Sequence, residues 1–402
     1  MTDVSTEIVY RKAPGGVTLV ELMLGEEKVS DLSIIPFTIR VGVALVRMDG
    51  IGGVNTDDSF RRRGFARQIL NAAVARMRQG SASISMLYGI SGFYPKFGYA
   101  TAGPDHLIRL TELSPAPKLP AGWRVRPMRK ADLPAAHLLY ASAVRGSVGT
   151  AVRAERGPTW TRLAERASRR SGGDCRALEG PSGILAGYAW LDEGGWYKEN
   201  LEQDYPDSMV ISEVVAPDAP SAEVMLAACR LWGQEKAKRR DPAFDTVIVP
   251  APPDSLIARA AMREAAEVVS VYADCGGSMV RVMDAARLLR EMSPELAMRL
   301  EDAGFPFAGD LVVRTDIGDA TIPLSPAGSV QTPRPAGACG PFVSVTSILE
   351  IPQQELARLA LGAFPPDDIL DRIPNPPHDP VRRMVRVLFP QRYPHMYLPD
   401  RF

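Results

Sequence analysis

The sequence is poor in the residues that build metal sites and disulfide frameworks, with four cysteines and four histidines in 402 residues. Cys175, Cys229, Cys275 and Cys339 lie far apart, with no C-x-x-C pair and no histidine at ligand spacing. That excludes a zinc ribbon and a disulfide-stapled scaffold, and the four read as reduced, mostly packed thiols. His106, His137, His378 and His395 form no cluster, so no metal is expected. Neither charge is in surplus, since Lys plus Arg and Asp plus Glu number 47 each. A balanced chain has no global field to draw it to nucleic acid or an anionic membrane, and neither is expected as a partner. No run of about 18 apolar residues occurs. The opening MTDVSTEIVYRK has no apolar core of signal-peptide length, so a soluble, cytoplasmic protein is expected.

What is present is enough apolar residue, 46 %, to bury cores, in a chain long enough for two or three domains. Val17 to Leu24, Val29 to Arg40 and Val43 to Val54 read as a meander of three strands. Arg61-Arg62-Arg63-Gly64-Phe65-Ala66 follows, and then a helical pattern with Ile69, Leu70, Ala73, Val74 and Met77 on one face. A turn at this place holds N–H groups that have no partner within the helix and that carry the positive end of its dipole. It is therefore suited to a phosphate or pyrophosphate. Gly64 and Ala66 let a ligand reach the backbone, and the arginines offer paired hydrogen bonds to phosphate oxygens. The spacing is not that of a P-loop, which needs Lys and Ser or Thr after its last glycine. The alternative is a solvated basic turn. Ser81 to Leu87 reads as the next strand, Tyr88 to Ser91 as a connection and His106 to Leu110 as the last strand of a first domain.

The R-x-x-G-x-A run resembles the acyl-CoA pyrophosphate loop of the GNAT N-acetyltransferases. Gly92-Phe93-Tyr94-Pro95-Lys96-Phe97-Gly98-Tyr99 resembles that family's later F-Y-x-x-x-G-[FY] loop, and the two occur in order with one helix and one strand between them. Beyond the proline-broken segment Leu113 to Gly122, Trp123 to Met128 and KADLPAAHLLYASAV resemble a second GNAT opening. After Val210 to Val215 this copy reads APDAPSAEVMLAACRLW, with Asp218 and Glu223 where a pyrophosphate would need arginine, so it is expected to bind no CoA ester. Gly276 to Met292 pairs a strand with a helix and opens the last third. Strands at Asp310 to Thr315, Ala320 to Leu324 and Phe342 to Glu350 follow, with a helix at Gln353 to Leu361. The whole resembles the Eis group of acetyltransferases. The resemblance implies an α/β (α+β) chain of tandem GNAT folds with mixed central sheets, plus a C-terminal sterol-carrier-protein-like α+β domain. The domains would be residues 1–115, 123–285 and 286–402. Only 16 residues precede Val17, whereas the family places a strand and two helices there. The helices that wall the acceptor cleft are accordingly expected to be missing, shortened or supplied from elsewhere.

What the resemblance implies about chemistry is acetyl transfer from acetyl-CoA, as cosubstrate, to a primary amine of a small molecule such as an aminoglycoside or to a lysine side chain. Direct attack would be the route, in an open site of negative charge preference. The cofactor contacts carried over are Val54, Asn55, Thr56, Arg62, Arg63, Gly64, Phe65, Ala66, Arg67, Gly89 and Ile90. An amine must lose a proton and the leaving thiolate must gain one. Tyr94 is the expected acid, since a phenol of pKa roughly 10 is close to a thiol. Tyr88 and Tyr99 compete with it, and the other reading of Tyr94 is an aromatic that only packs under the cofactor. In the Eis group the chain end, a phenylalanine carboxylate, is the base, and Phe402 stands at that position. The alternatives are a packed tail without a chemical part, or Asp57 and Asp58, which more simply cap a helix or balance the arginines. Members of the group often form rings, which implies a homo-oligomer, with a hexamer as one form. Two other functions stay open: a non-catalytic acyl-CoA or lipid sensor, and an acyltransferase of secondary metabolism acting on an aminoacyl or peptidyl amine.

Overall fold

The computed structural model describes residues 5–111, 118–155, 157–167, 175–191, 195–239, 245–264, 266–304, 309–324, 334–335 and 346–402. Cys339, the first half of the break at 113–122 and the first part of the strand read at 342–350 lie outside the described residues.

Alternating apolar residues in the first 56 positions build an antiparallel meander: β1 (Thr6–Lys12), β2 (Thr18–Leu24), β3 (Glu27–Val41) and β4 (Ala44–Thr56). β1 adds a strand that the sequence reading did not include. The helix α1 (Phe65–Arg78) follows, and its stripe of Ile69, Leu70, Ala73 and Met77 packs on Val20, Leu22, Ile34 and Ile51. Burying side chains of this size contributes about 1.5–3 kcal/mol each. β5 (Ile84–Gly89) then returns parallel to β4.

At β5 the order in space departs from the order in sequence. After β6 (Ala100–Thr101) comes β7 (Asp105–Leu110), expected as the last strand of the first domain; it lies instead between strands of the second. That second part comprises β8 (Arg124–Pro127), α2 (Leu133–Ala143), β9 (Val148–Ala151), α3 (Pro158–Ala167), β10 (Cys175–Glu179), β11 (Leu185–Trp190) and α4 (Gly195–Asp204). It continues with β12 (Ser208–Val210), β13 (Glu213–Val215), α5 (Ala219–Arg239), β14 (Thr246–Pro250), α6 (Leu256–Met262), β15 (Glu267–Val271) and β16 (Gly277–Val282). β16, which was read as opening the last third, goes back to the first sheet and pairs with β5 and β6. β9 pairs with β3. Strands therefore pair across 115 in both directions, β7 into the second part and β9 and β16 into the first sheet. Leu107, Ile108 and Leu110 are fully buried, and so are Val280 and Val282. Such strands need a partner on each edge and cover on each face, which their own segments do not supply.

The second part has two sheets, β13-β11-β10-β8 and β12-β14-β7-β15. The last part comprises α7 (Ala285–Ala303), β17 (Gly309–Thr315), β18 (Gly318–Leu324), β19 (Arg334–Pro335), β20 (Thr346–Glu350), α8 (Gln353–Leu361), α9 (Pro366–Leu370) and α10 (Asp379–Leu388). One apolar cluster joins Ile39, Val46 and Met48 of the first sheet to Leu289 and Met292 of α7 and to Leu311 and Val313 of β17. No helix among the described residues is long and apolar enough to cross a membrane.

Candidate active site

The basic turn folds as a phosphate site requires. Gly64 is the N-cap of α1 at φ 85°, no side chain caps the first turn, and no acidic residue stands in it. The preceding turn also puts Arg62 in the left-handed region, at φ 66°, which costs a non-glycine residue about 1 kcal/mol or more. Arg61 is taken by Asp58 at 2.6 Å, and the Arg63 guanidinium lies 5.2 Å from the centre of the Phe60 ring. Arg62 and Arg67 form no ion pair among the described residues and remain exposed. Asp57 accepts from the Ser59 hydroxyl and from its N–H, which hold its carboxyl below the usual range. Both aspartates are thus occupied in the turn. Phe65 is buried in the core, so it can offer only backbone. In the second part the corresponding helix, α5, is closed. Asp218 accepts from Ser221 N–H at 2.8 Å, and Glu223 pairs with Arg263.

Beyond the turn the central strands part. β4 pairs with β5 only from Met48 to Ile51, although β4 runs on to Thr56 and β5 to Gly89. Asn55 and Thr56 stay bonded to β3, with Ser30 donating to the Asn55 carbonyl, so the β5 side of Val54, Asn55 and Thr56 is the open one. Phe402 lies on the face of β4 beside this gap. A Cβ at Gly50 would come within 2.4 Å of its ring, and one at Gly52 within 3.2 Å of its carboxyl carbon. The ring packs on Phe37 and Tyr88 at centroid distances of 5.0 and 5.7 Å, and Tyr197 Oη donates to the Phe402 carboxyl oxygen at 2.9 Å.

Tyr94 opens a 3-10 turn, Tyr94–Phe97, and its ring lies flat on Gly89, where a Cβ would come within 2.3 Å. It is 8 % exposed, its hydroxyl has no hydrogen-bond partner among the described residues, and burial, with Cys275 nearby, raises its pKa. The competing tyrosines are worse placed. Tyr99 is buried and bonded to Ser85 at 2.8 Å, while the Tyr88 hydroxyl is buried without a partner, and burial raises both pKa values. Gly89 gives its carbonyl to Gly276 N–H, and Ile90 beside it is exposed.

Residues 10–102 match the family model of the acetyltransferase (GNAT) domain. This stretch is a GNAT acetyltransferase domain. The fold of the whole chain is similar to that of a GCN5-related N-acetyltransferase from Kribbella flavida, at 18 % identity over 96 % of this chain and 88 % of that one, with a TM-score of 0.65. It is also similar to a conserved protein of Enterococcus faecalis V583, a probable N-acyltransferase, at 14 % identity over 96 % and 89 %, with a TM-score of 0.66. Eis1 from Mycobacterium abscessus matches at 14 % identity over 96 % and 90 %, with a TM-score of 0.61. A comparison with curated proteins finds no match.

Beside the GNAT domain's parted strands lies a cleft of about 630 Å³. It opens along β3 between the end of β2 pairing at Ile34 and the start of β9 pairing at Ile39. No α-helix precedes β2 among the described residues. The far wall is instead residues 151–154 and 157–160 of the second part, with Arg153 and Trp160, and the tail Pro399 to Phe402 lines the cleft as well. Asp49 borders it, and burial pushes its carboxyl up to about 6 against the pull of Lys12. Sequence reading found neither Asp49 nor Tyr197, and it missed the tail's fastenings. Asp400 is bonded to buried Arg153, and Arg401 to Asp105 at 2.5 and 3.2 Å. Breaking one side of a buried pair costs about 3–5 kcal/mol, so the tail is a fixed element. The one signal in the sequence was an Asp-Arg pair in front of an aromatic end. Among the described residues no group of His, Cys, Asp and Glu gathers as a metal site.

A methyl group at Gly50 must displace the Phe402 ring. Gly50→Ala is expected to lower stability by about 1–3 kcal/mol and to be nearly neutral in a Phe402→Ala background, a coupling that urea unfolding of the four proteins of the cycle measures. For Asp49 the folded pKa is raised, so its contribution is intact below the ordinary value of 3.8 and is lost as pH rises through about 6. Asp49→Asn should add about 1–2 kcal/mol of stability at pH 8, after solvent screening, and nothing at pH 3.5, as read by denaturant unfolding at the two values.

Proposed function

We propose that this protein is an acetyl-CoA-dependent N-acetyltransferase that transfers acetyl to a primary amine, on an aminoglycoside-like small molecule or a lysine side chain, by direct attack. One observation carries the reading. The Tyr94 phenol and the Phe402 carboxyl both stand at the parting of β4 from β5, beside a helix N-terminus that no side chain among the described residues caps. The residues present fit an acyl-CoA: Arg62 and Arg67 with the backbone of 64–66 suit its pyrophosphate. The open side of Val54 to Thr56 suits the peptide-like pantetheine arm, with Gly89 and Ile90 on the opposite side. Acetyl-CoA supplies the activated acyl group.

The chain's residues then supply proton handling and charge. Tyr94, with a free hydroxyl and a raised pKa, is suited to donate to a thiolate and not to stay ionised. The Phe402 carboxyl, of ordinary pKa about 3.5, is ionised at neutral pH and holds an ammonium by charge before its proton leaves through water. The Tyr197 hydroxyl fixes its orientation. Asp49 adds a second acidic group at the cleft, which suits an acceptor with more than one amine. The C-terminal sheet with α7 to α10 is read as the sterol-carrier-like unit, and the protein as a cytoplasmic homo-oligomer, which sedimentation tests.

Thiol release from acetyl-CoA in the presence of a panel of amines is the decisive assay, and bound acetyl-CoA with no release for any amine would overturn the reading. Tyr94→Phe is expected to lower kcat by about 10²-fold or more with acetyl-CoA affinity unchanged. Adding one glycine after Phe402 shifts the carboxylate by about 3.5 Å, and the expected outcome is a large loss of kcat. Unaltered turnover would remove the chain end from the chemistry.

A further inference from the structure

Resting on that reading and deepening it, we propose that Arg153 is a positioning residue for acetyl transfer, latching the C-terminal tail to the second part of the chain so that the Phe402 carboxyl meets β4. Arg153 follows β9, and the neighbouring Val152 N–H donates to the Thr38 carbonyl of β3 at 2.8 Å. Its guanidinium is therefore anchored to the GNAT domain. Nε reaches both oxygens of Asp400 at 3.0 Å, and Nη2 reaches Oδ2 at 2.7 Å. Nη1 reaches Glu213 Oε1 at 2.9 Å, and Nη2 also bonds the other Glu213 oxygen. The side chains of Arg153, Glu213 and Asp400 are 2 %, 0 % and 1 % exposed.

Two carboxylates around one guanidinium leave a net negative charge in the interior, and the remaining acceptor positions are met by hydroxyls. Tyr188 donates to Glu213 at 2.6 Å and Thr159 to Asp400 at 2.9 Å. The guanidinium also lies 3.8 Å from the centre of the Tyr140 ring. A set of this kind is stable only when complete, because any member left alone is an unpaired buried charge. The arrangement therefore admits one register of the tail.

Glu213 begins β13, just past the break at which the strand leaves the sheet of β14 and joins that of β11. This is the second part's own parting of strands, where its capped α5 offers no phosphate site. The tail passes over it, with Leu398 among Leu107, Val210 and Ile248, and Tyr397 among Tyr140, Trp160 and Tyr188. Asp400 is two residues from Phe402, a span of at most about 7 Å, so fixing one places the other. Arg401, held by Asp105 and lying over Tyr88 and Tyr197, sets the last turn of the chain. The second part thus has a task other than binding a CoA ester: it aims the chain end at the GNAT domain.

Replacing Arg153 itself would strand two buried carboxylates, so the test changes the tail, where Arg153 keeps Glu213. In the full chain, Asp400→Ala is expected to let carboxypeptidase A release Phe402 about tenfold faster than from the unaltered protein, and to lower kcat by about tenfold or more. Acetyl-CoA affinity should not move. 3-Phenylpropanoate, a free benzyl carboxylate of the size that Gly50 and Gly52 accommodate, should restore part of the turnover of Asp400→Ala and of a chain ended at Pro399, and should not raise that of the unaltered protein. Phe402 staying protected in Asp400→Ala overturns the latch. Release of Phe402 with kcat unchanged, or with a loss that 3-phenylpropanoate does not relieve in either variant, overturns the positioning role. Should no amine be acetylated by the unaltered protein, the carboxypeptidase comparison still judges the latch, and only the functional reading fails.

Discussion

The structure depends on one local event, the separation of β4 from β5 after Ile51. A parallel pair that stays zipped has no room for anything between its strands. Here the pairing stops, and two glycines, Gly50 and Gly52, leave the strand bare at the side chain's usual place. The chain's own last residue fills that bare surface. Because a methyl group at either position would press on Phe402, the fit specifies the end of the chain as closely as it does any core residue.

The second organising feature is a contrast between two helix starts. α1 begins with a glycine and no acid, α5 with Asp218 turned onto its own backbone. The same positive helix end is left available in one case and neutralised internally in the other. The GNAT domain has a basic turn and an uncapped helix start, and the second part contributes buried ionic groups and apolar cover for the tail.

These parts are bound by strand exchange. β16 completes the first sheet, β7 lies within the second part, and β9 extends β3. Interleaving of this kind makes the relation between the GNAT domain and its tail receptor a matter of sheet hydrogen bonds. The cleft wall that begins at Ala151 and Val152 is therefore held by the same ladder that forms its floor.

Much of this was legible in the residues. Alternation marked β2 to β4, the apolar stripe marked α1, and the Arg-Gly turn with the later aromatic loop marked the GNAT stretch, because each is a pattern within about 20 residues. The strand partners of β7 and β16 were not legible, since an all-apolar strand records that it is buried and not beside what. Nor were Arg153, Asp105 and Tyr197, which lie as many as 296 positions from the tail residues they hold and carry no spacing signal, nor Glu213, which bonds Arg153. The sequence by itself determined the GNAT turn, its helix and the tyrosine behind it, because backbone preference and periodicity act locally. Only the tertiary structure decided that Phe402 reaches β4 and what holds it there, because a buried ion pair exists only once folding has removed the water between its partners.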